Sequence, residues 1–140
     1  MNLKPAIQDN VTDILVKIIE FTRRRDEVLR HNVLAVNDES FEPRDLDVDG
    51  FADLMAFAMS EHVSNNRLVF SDNQTIRFCG GGRFETEAVV DRQAKKLFEN
   101  DISKYLKQQM KKISENMLNR KVAEELLRHK EQRQATVKQL

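Results

Sequence analysis

The sequence predicts a mainly α-helical fold. Long helices at the two ends of the chain pair as a coiled-coil-like hairpin, and a small middle segment holds a short helix and a possible β-hairpin. Three observations carry this expectation. Apolar residues recur at alternating spacings of three and four in both terminal regions. A third of the chain is charged and only 6% is aromatic, a composition of helices with long solvated faces. The helical period is also lost over residues 37–87, where Pro43 and all four glycines fall.

The 140 residues are expected to form a single unit with a modest core. The 23 acidic and 23 basic residues balance, which argues against nucleic acid as the main partner. One cysteine, Cys79, excludes an intramolecular disulfide and a multi-cysteine zinc site. No stretch reaches the ~18 apolar residues of a membrane span. Asp9, Asp13, Lys17 and Glu20 interrupt the apolar core that a cleaved signal peptide would need.

The N-terminal helix is expected over residues 8–36. Ile7, Val11, Ile14, Ile18, Phe21, Val28 and Ala35 trace a seam, with Arg25 and Asn32 at its two polar positions. Leu15, Leu29 and Val36 widen it on one flank, and Val16, Ile19 and Val33 on the other. Such a pattern suits a core helix of a bundle or a coiled-coil strand. A rod of ~43 Å favours the strand, because a compact domain of this size has no need of that length. Polar residues on a seam set register at some cost in stability.

In the middle segment, Asn37 to Ser40 and Pro43 end the helix. Asp45, Asp47, Asp49 and Gly50 imitate the start of a calcium loop, but position twelve of that loop would be Ala56, so the bidentate glutamate is missing. Asp49 is instead expected to cap a short amphipathic helix over Phe51–His62, where Phe51, Leu54, Met55, Ala58 and Met59 share a face. Arg67–Phe70 and Thr75–Cys79 read as the strands of a hairpin, with Ile76 and Phe78 on one face. Gly80, Gly81 and Gly82 lack the flanking pattern of a phosphate loop and are expected to form a flexible break. Cys79 has no histidine near it in sequence to activate a thiol.

The C-terminal helix is expected over residues 88–132. Leu106, Met110, Ile113 and Met117 form its seam, with Phe98, Ile102 and Tyr105 leading into it and Val122, Ala123, Leu126 and Leu127 continuing it. The last dozen residues lose the pattern and are expected to fray. The simplest joint arrangement is an antiparallel pair with the middle segment at one end. Such a pair buries one stripe of each helix, so a third or fourth helix is expected from another chain.

The corner between the first helix and the middle segment carries a family resemblance. Asn32 and Val33 take the first positions of a motif N-[IV]-A-N-x-x-T-P-G-Y-x-x-x-D-[IVL]-D, Phe41 takes its aromatic position, and Arg44-Asp45-Leu46-Asp47 matches its ending. Phe51-Ala52-Asp53-Leu54-Met55 is similar to the F-x-x-x-L that follows it, and Phe98 to Tyr105 resembles F-A-x-N-x-x-x-Y before the last helix. On these residues the chain resembles the FlgB family of proximal rod proteins of the bacterial flagellar basal body, and more loosely the rod, hook and hook-junction proteins. Ala35 replaces the second asparagine, Asp38-Glu39-Ser40 replaces Thr-Pro-Gly, and the charged C-terminus is longer than usual.

The resemblance implies a structural, non-enzymatic subunit of the periplasmic rod, exported without a cleaved signal peptide. It needs no cofactor, metal or small-molecule substrate. Its partners would be its own copies and other rod, export-gate and basal-body proteins. Ile14, Ile18, Phe21, Val28, Asn32, Leu106, Met110, Ile113 and Met117 are the expected packing interface. Asn32, Val33, Phe41, Arg44, Asp45, Asp47 and Tyr105 form the family-motif corner. The alternative from the same residues is a cytoplasmic coiled-coil adaptor or regulator derived from that family.

Overall fold

A computed structural model describes residues 9–80 and 82–139, with side chains up to Ala135. Among the described residues, each of the four helices begins on an aspartate whose carboxylate satisfies an otherwise orphaned backbone N–H. Asp9 accepts from Val11 and opens α1 (Asn10–Leu34), and Asp47 accepts from Gly50 and opens α2 (Val48–Asn65). Asp91 accepts from Ala94 at α3 (Arg92–Asn100), and Asp101 accepts from Lys104 at α4 (Ile102–Gln139). Two small antiparallel sheets complete the fold. β1 (Arg44–Asp45) pairs with β4 (Val89–Val90), and β2 (Ile76–Phe78) pairs with β3 (Phe84–Thr86).

The long terminal helices run antiparallel. Asn32 near the end of α1 meets Gln109 near the start of α4, Thr22 meets Asn116, and Asp9 meets Lys130. Leu15 and Ile19 pack on Ala123, with Val11 and Leu127 alongside. The apolar band of α1 is wide enough to serve two neighbours. Its other side, Ile14 and Phe21, joins the main core with Phe51, Met55 and Ala58 of α2 and with Ile76 and Phe84 of the hairpin. Phe21 and Phe51 stack at 4.0 Å and 2°. Asn10 lies 3.2 Å from His62, so α2 runs back along α1.

Several expectations need correction. α1 stops at Leu34, two residues before the expected end, where the Ala35 N–H turns back to the His31 carbonyl and the Val36 N–H to the Val33 carbonyl. Residue 8 and Ile7 lie outside the described residues. The middle segment lies along α1 and not at the end of the pair, so the third helix comes from the chain itself. Asp47, and not Asp49, caps the middle helix. Asp47 is already turned toward the helix by its bond to Gly50, and a Cβ on Gly50 would sit 2.0 Å from its Oδ2, so only glycine fits beneath the cap. The helix also runs three residues past His62, to Asn65, and ends on Asn66 in the left-handed region at φ 51°.

The hairpin exists with a different partner. Ile76–Phe78 pairs with Phe84–Thr86, while residues 67–70 form no strand. The Asn73 carboxamide explains why: its oxygen accepts from the Thr75 and Ile76 N–H groups and turns the chain just before β2. The expected glycine break falls between β2 and β3; Gly81 lies outside the described residues, Gly82 has φ 79°, and Lys17 of α1 donates to the Gly82 carbonyl at 3.0 Å. Ile76 and Phe78 do share the inner face, with Arg77 exposed.

The expected helix over residues 88–132 is interrupted and longer. Val89 and Val90 form β4, and Asp101, extended at φ −154° and ψ 91°, separates α3 from α4. One aspartate ends the first helix and caps the second. α4 then continues through the expected fraying region to Gln139.

Candidate functional site

The corner is organised around Asn32, 2% exposed on the last turn of α1. Its amide nitrogen donates to the Arg44 carbonyl at 2.7 Å and to Gln109 Oε1 at 2.9 Å, and its oxygen accepts from the Arg44 N–H at 3.2 Å. The side chain thus mimics one rung of a β-ladder against β1 while holding α4. The Tyr105 hydroxyl donates to the Asn32 backbone carbonyl at 2.8 Å. Asn32, Gln109 and Tyr105 have their main polar groups paired here, which is what makes their burial tolerable. Burial, then the nearby Asp91 carboxylate, pushes the Tyr105 phenol up to about 12.

An ion network lies beside this core. Arg25 holds Asp45 in a bidentate pair at 2.9 and 3.0 Å. Lys112 of α4 donates to Asp91 at 2.7 Å and to Asp45 at 3.4 Å. Two acids and two bases from α1, β1, the α3 cap and α4 therefore neutralise one another at the junction of both terminal helices with the β1–β4 sheet. Burial acts to raise the Asp91 carboxyl, but the Lys112 ammonium and the Ala94 N–H outweigh it and hold the group below the usual carboxylate range. An aromatic chain covers the corner, running His31, Phe41, Phe98 and Tyr105 with centroids 5.1–6.1 Å apart.

Of the motif residues expected at the corner, the structure brings together Asn32, Phe41, Arg44, Asp45 and Tyr105. Asp47 lies one step outside, capping α2 and accepting from Asn73 at 3.3 Å. Val33 takes no part beyond its carbonyl, which accepts the Val36 N–H. Asp45 and Asp47, which suggested a calcium loop, are engaged by Arg25, Lys112 and the α2 cap.

The expected packing seam is displaced. On α4 the residues facing α1 are Tyr105, Gln109, Ile113, Asn116 and Ala123, so of the predicted seam only Ile113 is buried. Met110 is 53% exposed, and Leu106 and Met117 are half-buried. On α1, Ile14, Phe21 and the half-buried Ile18 and Val28 pack into the core with α2 and the hairpin, while Asn32 and the flanking Leu15, Ile19 and Thr22 meet α4. The physical reason is that the true seam is partly polar. Gln109 is fully buried and Asn116 is 1% exposed, its amide donating to the Thr22 carbonyl at 2.7 Å. An apolar-periodicity argument passes over both. The signal available in the sequence was Tyr105, Gln109, Asn116 and Ala123, spaced four, seven and seven apart.

Lys112, Asp91 and Gln109 are functional parts of the corner that the motif comparison does not reach. No protein-family model, curated protein or solved structure matches the chain. Among the described residues no helix is long and apolar enough to cross a membrane.

Proposed function

We propose that this chain is a structural, non-enzymatic subunit of the bacterial flagellar proximal rod, of the FlgB type, and that it assembles through coiled-coil-like packing of its terminal helices. The observation that carries the reading is the convergence at the corner. Asn32, Arg44, Asp45 and Tyr105 hold motif positions, and they lie together where the two terminal helices join: Asn32 bonds the Arg44 backbone and the Tyr105 hydroxyl, and Asp45 belongs to the ion network beside them. A network of this kind fixes register, and register is what a repeating assembly needs from each copy. Apolar side chains left outside on α4, among them Met110 at 53%, Leu118 at 63% and Val122 at 52% exposure, give the pair surfaces for neighbours. The periplasmic rod location, export without a cleaved signal, and contacts with other rod and export-gate proteins follow from this reading.

The second reading is a cytoplasmic adaptor that keeps the same helix pair for another partner. It is favoured by the self-contained core, since α2 supplies the third helix and the free chain has a folded state of its own.

Mass spectrometry of purified basal bodies from the parent bacterium separates the two. The rod reading expects this chain in stoichiometric amount with the rod. Its presence only in the soluble cytoplasmic fraction would contradict that reading and leave the adaptor.

A further inference from the structure

The break between α3 and α4 rests on one residue. Residues 92–139 contain no glycine or proline, and Asp101 alone, extended at φ −154° and ψ 91°, separates the two helices. Helical bonding reaches it from both sides. The Asp101 N–H donates to the Leu97 carbonyl at 2.7 Å, and the Asp101 carbonyl accepts from the Tyr105 N–H at 3.0 Å. A continuous helix needs only three further rungs, from the Ile102, Ser103 and Lys104 N–H groups to the Phe98, Glu99 and Asn100 carbonyls. The Lys104 N–H is held instead by the Asp101 carboxylate at 3.1 Å. Aspartate is a strong cap but only a mild helix breaker, so a single carboxylate does much to keep the two helices apart.

The break folds α3 back along α4. Lys112 reaches Asp91 at 2.7 Å, whereas a straight helix would set their backbones ~31 Å apart. The contacts that hold α4 in this place are largely polar. Tyr105 and Gln109 bond Asn32, Lys112 bonds Asp45 and Asp91, Asn116 donates to the Thr22 carbonyl, and Lys130 pairs with Asp9. Apolar packing is limited, with Ala123 and Leu127 against Val11, Leu15 and Ile19, and Ile113 buried nearer the corner. The main core, by contrast, is built from α1, α2, the hairpin and Leu46, and among the described residues it holds none from α4.

We propose that Asp101 is a hinge through which α4 is exchanged between two copies of this chain. Straightening at Asp101 joins α3 and α4 into one helix, forms the three missing rungs and carries α4 off its own α1. The strip this uncovers, with Leu15, Ile19, Thr22 and Asn32, is covered by α4 of the second copy. That occupant follows from the fold, because an identical α4 already fits the strip and remakes the same bonds. Reciprocal exchange closes a dimer. The main core stays intact throughout, and the amides uncovered on opening are solvated by water. Closed and exchanged forms therefore differ mainly at the hinge. The exchange is independent of where the chain works, so its failure would leave the rod and adaptor readings as they stand.

The test uses the full chain with Cys79→Ser as background. One preparation carries Ile19→Cys and the other Ala123→Cys, positions that pack together across α1 and α4. Oxidation of the mixture should give covalent dimers, and either preparation alone should give few. Asp101→Ala removes the cap and favours helix, so it should increase the mixed crosslink and lower the dimer dissociation constant roughly tenfold. Ile102→Pro should suppress the crosslink. Proline suits the first position of α4 in the closed chain, but it removes the rung to Phe98 and disfavours a helical Asp101. Asp101→Ser keeps a capping oxygen and should behave as the unaltered chain. A mixed crosslink that Ile102→Pro leaves unchanged would overturn the hinge. An Asp101→Ala chain that stays monomeric by sedimentation at every concentration, or gives no mixed crosslink, would overturn the exchange.

Discussion

The Tyr105 hydroxyl donates to the Asn32 carbonyl across 73 residues of sequence, at 2.8 Å, with both residues buried. That bond and the three side-chain hydrogen bonds of Asn32 tie the end of α1 to β1 and to the start of α4. The corner is therefore a three-way junction held by polar contacts, and its energetics differ from those of an apolar core. Removing one member strands the others.

Asn32→Ala is the direct test of that junction. It leaves the buried Gln109 oxygen and the part-buried Arg44 N–H and carbonyl without their partner, so a loss of roughly 2–4 kcal/mol in unfolding free energy is expected. Val33→Ala, at the adjacent motif position, should cost about 1 kcal/mol or less. Urea unfolding followed by far-ultraviolet circular dichroism reads both. Equal losses would mean that Asn32 is not the centre of the corner.

Tyr105 is the single tyrosine of a chain without tryptophan, so absorbance at alkaline pH reports on the corner alone. Its phenol is raised to about 12 by burial and by Asp91, and the folded state therefore prefers the neutral form. The corresponding stability is fully present below the ordinary phenol pKa of ~10 and is lost as pH rises through about 12. A pH titration should show ionisation delayed to about 12, or coinciding with unfolding. Ionisation near the ordinary value in the folded chain would place Tyr105 in solvent.

The Asp91–Lys112 pair predicts the acid limb. The Asp91 carboxyl is held below its ordinary value, so its contribution is present above that ordinary value and disappears as pH falls through the lowered one. Lys112→Met should lower stability at neutral pH by roughly 1–3 kcal/mol, because it leaves Asp45 and Asp91 without their shared ammonium; partial exposure keeps this below the cost for a fully buried pair. It should also flatten the acid limb. A neutral-pH loss with an unchanged acid limb would show that Lys112 contributes packing alone.

Ile113 and Met110 both belong to the predicted seam, yet they occupy different environments at 6% and 53% exposure. Ile113→Asp should cost several kcal/mol through a charge placed between α1 and α4. Met110→Asp should change the stability of the free chain by about 0.5 kcal/mol or less. Thermal unfolding of both variants distinguishes the two positions. Similar destabilisation would restore the predicted apolar seam.

The terminal helices were legible because apolar spacing over many turns is a strong signal. The helix faces were not. Hydrophobic periodicity assigns Met110 inward, whereas the fold buries Gln109 and Asn116, whose amides find partners only in three dimensions. The break at Asp101 was hidden because one aspartate both ends α3 and caps α4, with no glycine or proline to mark it. The β1–β4 pairing was hidden because each strand is two residues long and depends on Asn32 and on the bond from the Asp91 N–H to the Pro43 carbonyl. The sequence pattern pairs β2 with the wrong partner, because the bonds that turn the chain there come from the Asn73 side chain.

The role proposed for this helix pair is as a part of the flagellar rod. Deleting the gene in the parent bacterium and imaging basal bodies by electron cryotomography tests it most directly. Loss of swimming with basal bodies that lack the rod, both restored by the wild-type gene, is the predicted result. Normal motility and intact rods in the deletion strain would contradict it.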